Sequence, residues 1–114
     1  MTDINSMIDE AFSAAARSTS LYLTGNPTTW YPCGFAEVRI RPARGPLVTA
    51  LKKRGLGRSA IYGGGYVISN PSQNCTQSMS AKAIGARAFI DSMRAAQSTV
   101  NLGNVTFSVE TQID

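Results

Sequence analysis

Apolar residues recur at helical spacing along the first stretch of the chain, where Ile4, Met7, Ile8, Ala11, Phe12 and Ala15 form one stripe between Asp3 and Arg17. That spacing predicts an amphipathic helix. Asp9 and Glu10 near its start and Arg17 at its end are ordered as the helix dipole favours. Beyond Ser18 the stripe is lost: Leu21-Tyr22-Leu23 reads as a very short strand, and Gly25-Asn26-Pro27 as a turn. From Gly34 to Arg41 the period changes to two, with Ala36, Val38 and Ile40 on one face and Phe35, Glu37, Arg39 and Arg41 on the other. Pro42 ends that strand because it has no amide proton for the ladder. Gly45-Pro46 then opens a short helix with Leu47, Val48 and Leu51 as its buried stripe, Lys52, Lys53 and Arg54 in its last turn and Gly55 as its cap.

Ala60 to Ser69 reads as a second strand interrupted by Gly63-Gly64-Gly65, which predicts a bulge, a sharp bend or the close approach of another group. A final helix is expected from about Ser78 to Ala96, with Ala81, Ile84, Gly85, Ala88, Phe89 and Ser92 on its inner face, small enough at the centre to approach the sheet closely. Val105, Phe107 and Val109 alternate with Thr106, Ser108 and Glu110 as a third strand. The order helix, strand, helix, strand, helix, strand predicts a single α+β domain over residues 1–114: a two-layer sandwich with a small three- or four-stranded sheet and its helices on one face. Phe35, Arg39, Arg41 and part of the Tyr62 to Tyr66 segment would lie on the face left open.

Composition narrows the function classes. The chain has 114 residues, 43% of them hydrophobic, and no apolar run of membrane-spanning length. Its opening, Met1-Thr2-Asp3-Ile4-Asn5, lacks the charge pattern of a signal peptide, so a cytoplasmic protein with reduced Cys33 and Cys75 is expected. The net charge of +4 is unevenly placed: Arg39, Arg41, Arg44, Lys52, Lys53, Arg54 and Arg58 follow one another with no acidic residue between them. Such a block suits phosphate or an acidic partner, and it equally suits a plain solubilising surface.

Tyr31-Pro32-Cys33-Gly34-Phe35-Ala36, Tyr62-Gly63-Gly64-Gly65, Asn70-Pro71-Ser72, Gln77-Ser78-Met79, Lys82 and Gly85-Ala86-Arg87-Ala88-Phe89 occur in this order along the chain. In these blocks the sequence resembles a small uncharacterised family found in bacteriophage and marine-virus genomes, over roughly Tyr31 to Asp114. The resemblance implies a viral or prophage context, with the host cytoplasm as location. It supplies no catalytic residues.

Three activities rank in order on these residues. The first is a non-enzymatic accessory protein that binds nucleic acid or an acidic partner through Arg39, Arg41, Arg44, Lys52, Lys53, Arg54 and Arg58, with Tyr62 and Tyr66 as stacking rings. The second is an assembly protein acting by self-association through a sheet edge. The third is a small ligand-binding module or enzyme using Gly63 to Gly65 or Cys33. Against the third, the glycine run lacks the Gly-Lys-Ser/Thr ending of a phosphate loop, and a chain with no histidine lacks the usual base for a cysteine nucleophile. No cofactor or metal is expected, since two cysteines about forty residues apart and scattered carboxylates do not make a ligand set.

Overall fold

A computed structural model of the protein describes residues 4–25, 34–60, 64–72, 79–97 and 105–113. The elements are α1 (Ile4–Gly25), β1 (Gly34–Arg41), α2 (Pro46–Lys53), β2 (Arg58–Ser59), β3 (Tyr66–Ser69), α3 (Met79–Ala96) and β4 (Thr106–Ile113). The four strands form one antiparallel sheet in the order β2-β3-β1-β4. From β1 onward this connectivity is the split β-α-β arrangement, in which the two central strands, β1 and β3, come from different halves of the chain.

Alternation fixes the faces of the sheet. Ala36, Val38 and Ile40 of β1, Tyr66 and Ile68 of β3 and Phe107 of β4 enter the core with Leu47, Val48 and Leu51 of α2 and Phe89, Ile90 and Met93 of α3. The helix α3 lies over β1 and β4, and α1 lies against α3. Phe12 of α1 meets Phe89 of α3 edge to face, with ring centroids 5.0 Å apart. No described helix covers the opposite face of the sheet, and the shortest extent of the molecule, 21 Å, matches one helix layer on one sheet. The fold is therefore the α+β sandwich that the alternation of elements predicts, with four strands.

Three local expectations are corrected. First, Leu21-Tyr22-Leu23 is not a strand but the last full turn of α1, which continues to Gly25. No breaker precedes that glycine, and the buried Thr19 ties the segment to α3 by donating from Oγ1 to the Ala81 carbonyl at 2.8 Å. Leu21 itself is exposed, with no sheet beside it to cover it.

Second, the glycine run does not interrupt one strand. It lies between β2 and β3, which pair antiparallel with Arg58 opposite Val67 and Ser59 opposite Tyr66, so the chain reverses there. The Ala60 amide donates to the Gly65 carbonyl at 3.0 Å and closes the hairpin from within. Gly65 has φ 90°, and a Cβ there would stand 2.7 Å from the Ile40 carbonyl oxygen, so only glycine suits the position.

Third, Gly85 of α3 faces α1 rather than the sheet. A Cβ on Gly85 would lie 2.4 Å from Thr19 Oγ1 and 2.8 Å from Ser72 Cβ.

The short helix α2 follows its sequence closely. Gly45 is its N-cap and Pro46 its first residue, Lys52 and Lys53 occupy the last turn, and Gly55 beyond it adopts φ 71°. These are the starting proline and terminal glycine that the ends of a helix favour.

Candidate binding face on the open side of the sheet

The outward residues of β1 define the site. Phe35, Glu37, Arg39 and Arg41 project from the central strand, in register with Thr106, Ser108 and Glu110 of β4 and with Val67 and Ser69 of β3. Arg58 extends the row on β2, opposite Val67. Val67 is only 1% exposed although it belongs to the outer face, where it stands between Arg39 and Arg58 in the ladder.

Arg39 is the hub of this face. Its Nε donates to Glu110 Oε2 at 2.8 Å, its Nη2 lies 2.7 Å from the same oxygen, and its Nη1 donates to the Gly64 carbonyl at 2.6 Å. Glu37 stands farther off, 3.8 Å from Arg39 Nη2 and 3.6 Å from Arg58 Nη2, and Arg41 is 3.9 Å from Glu110 Oε1. Arg39 is nearly enclosed, with 11% of its side chain exposed, whereas Arg41 and Arg58 remain 46% and 55% exposed. A lattice of alternating charge thus covers the middle of the sheet and leaves its more accessible cations at the rim.

Beside this lattice lies a concavity of about 700 Å³. Phe35, Glu37, Arg58 and Asn70 line it, together with Lys82 from the first turn of α3. The Phe35 ring is 57% exposed, a large apolar surface on the central strand, and Lys82 Nζ sits 5.5 Å from its centroid. Asn70 holds the rim in place: its backbone takes φ 43°, which asparagine tolerates, and its amide donates to the Ala36 carbonyl at 2.9 Å.

The basic block does not act as one surface. Arg39, Arg41 and Arg58 are brought together on the open face. Arg54 turns to the helical layer and pairs with Asp9 of α1 at 2.5 Å. Lys52 lies over the Tyr66 ring, 5.8 Å from its centroid, while Arg44 and Lys53 are exposed. The layers explain the division, since Arg39, Arg41 and Arg58 stand on strands whereas Lys52, Lys53 and Arg54 belong to α2 and its C-terminal cap in the helical layer.

Tyr66 is a correction to the expected stacking surface. Its ring is in the core, 3% exposed, because it occupies the inward phase of β3, and its hydroxyl donates to the Leu56 carbonyl. Burial pushes its phenol pKa up from the ordinary 10.0. Tyr62 lies outside the described residues, as do Trp30, Cys33, Cys75 and Gly63. What is described of the glycine run presents the Gly64 carbonyl to a guanidinium, whereas a phosphate cradle would present amides to an anion.

Sequence reasoning did not single out Glu37, Glu110 or Lys82 as site residues. Glu37 carried a usable signal, two residues from Arg39 on the same strand face. Glu110 carried none, because its partner stands 71 residues away along the chain. Among the described residues no helix is long and apolar enough to cross a membrane, and no group of three or more His, Cys, Asp or Glu side chains is placed to hold a metal ion. Compared with known proteins, the chain matches no family model, no curated protein and no solved structure.

Proposed function

We propose that the protein is a non-enzymatic binding module that holds single-stranded nucleic acid on its open sheet face, in the viral or prophage setting that its sequence blocks suggest. The exposed ring of Phe35 carries this reading. A flat apolar surface on a central strand, sharing its concavity with the cations Arg58 and Lys82, matches what an unpaired base and its flanking phosphates require. The connectivity of the fold adds nothing by itself, since one architecture serves many functions. An acidic protein would use the same cations and leave the ring idle.

Fluorescence anisotropy with a labelled single-stranded octamer tests the reading. Binding is expected at low salt, and replacing both Arg41 and Arg58 by alanine should lower the salt slope by about 1.4, roughly 0.7 for each lost phosphate contact on a single strand. No binding to single-stranded DNA or RNA at low salt would end the proposal.

A second reading rests on a separate observation. The strand β4 is eight residues long and pairs only with β1 among the described strands, so its other edge has no strand partner there. Arg94 and Gln97 reach the Phe107 and Val105 carbonyls at 3.5 Å each, so one end of the edge is partly covered. Such an edge suits pairing with a second copy. Sedimentation at increasing concentration decides it, because a monomer throughout the range leaves no place for assembly.

A further inference from the structure

Glu37 is the acidic group of the open face with acceptor capacity left over. Its two contacts with guanidinium groups, at 3.6 and 3.8 Å, lie beyond hydrogen-bond range, and it makes no hydrogen bond among the described residues. Glu110, by contrast, is gripped by Arg39 at 2.7 Å. The Glu37 side chain is 25% exposed and opens into the same concavity as Phe35, from which it is two residues removed on the same strand face, about 7 Å along the sheet. At about 700 Å³ that concavity lies within the range of roughly 300 to 1,000 Å³ common to small-ligand sites, which leaves ample room for one nucleotide.

We infer that this concavity selects guanine: the base stacks on Phe35 and directs the donors of its pairing edge to the Glu37 carboxylate. The inference rests on the nucleic-acid reading above and deepens it. A carboxylate only accepts hydrogen bonds, and its two oxygens match two donors side by side. Guanine offers that pair in its ring N–H and exocyclic amino group. Thymine and uracil present one N–H between two carbonyls, so their edge meets the carboxylate with acceptors. Adenine and cytosine show one amino donor next to an acceptor and fall between. Arg58, 3.6 Å from Glu37 and 55% exposed, is placed to turn from the carboxylate to the phosphate of the bound nucleotide.

Three labelled octamers test this by anisotropy at one low salt concentration: oligothymidine, the same strand with one central deoxyguanosine, and the same strand with deoxyinosine there. The guanine strand is expected to bind about tenfold more tightly than oligothymidine, in keeping with the discrimination of a bidentate contact to a base edge. Inosine, which lacks the exocyclic amino group, should lose most of that gain. Glu37→Gln should erase the guanine preference, so that the guanine strand binds the variant no more tightly than oligothymidine does. Equal affinity for all three strands overturns the guanine inference and leaves the nucleic-acid reading standing. Binding to none overturns both. The inosine comparison uses the unaltered protein, so the test holds even if the variant fails to fold.

Discussion

Arg39 reaches diagonally across two strands to hold Glu110, with Nε and Nη2 at 2.8 and 2.7 Å from one carboxylate oxygen. The diagonal has a consequence for the whole face. In the ladder Arg39 stands opposite Ser108, while Glu110 stands opposite Glu37, so two carboxylates face each other on neighbouring strands. Like charges directly opposite destabilise a sheet unless a cation lies between them. Arg39 is that cation, 2.7 Å from Glu110 and 3.8 Å from Glu37.

Replacing Arg39 by alanine should therefore cost more stability than any other arginine change on this face. A loss of about 2 kcal/mol is expected, since the hydrogen bonds of a nearly enclosed guanidinium are lost and the Glu37–Glu110 repulsion is released. Arg41→Ala, at an exposed contact of 3.9 Å, should cost less than about 0.5 kcal/mol. Urea denaturation of the two variants checks the order, and equal losses would contradict the hub role of Arg39.

Gly85→Ala sets two effects against each other. Alanine gains up to about 1 kcal/mol of helix propensity over glycine in a helix interior. The added methyl, however, would stand 2.4 Å from Thr19 Oγ1, 2.8 Å from Ser72 Cβ and 3.2 Å from the Ala15 carbonyl oxygen, where two helices are packed against each other. Overpacking of this kind costs about 1 to 3 kcal/mol, so a net loss and a lower melting temperature are expected. A higher melting temperature would mean that α1 yields easily.

Phe35→Ala should separate binding from folding. The ring is exposed, so stability should change by no more than about 0.5 kcal/mol. Oligonucleotide affinity should fall by about 1 to 3 kcal/mol, the worth of one stacked base. Unchanged affinity in a folded variant would remove the ring from the interface.

Tyr66 should make the fold sensitive to alkali. Burial raises its pKa in the folded protein above the unfolded value of 10.0, so the phenol is neutral in both states at lower pH and its contribution to stability is then complete. As pH rises past the unfolded value, the unfolded chain loses its proton first, and stability declines until the folded pKa is passed. Urea midpoints measured on either side of pH 10 should show this decline, and Tyr66→Phe should flatten it.

Much of this architecture can be read from neighbouring residues. The alternation of Ala36, Val38 and Ile40 with Glu37, Arg39 and Arg41 sets both faces of β1, and Gly45-Pro46 with Gly55 bounds α2, because strand phase and helix ends depend on side chains a few positions apart. The glycine run was legible as a place of unusual backbone but not as a reversal. A bend and a hairpin need the same φ, and only the pairing of Arg58 with Val67 tells them apart.

The site was legible in its cations and not in their arrangement. Arg39, Arg41 and Arg58 belong together only because β1, β3 and β2 lie side by side in that order. Tyr66 left the surface because its position in β3 points at the core.

By itself, the sequence determined the periods, the ends of the short helix and which residues of β1 share a face, since these follow from contacts within a few residues. The tertiary structure decided that Glu110 neutralises Arg39, that Gly85 receives α1, and that Phe35 and Glu37 open into one concavity. Those outcomes depend on strand order and helix placement, which are settled by cooperative burial of the whole core and carry no local signature.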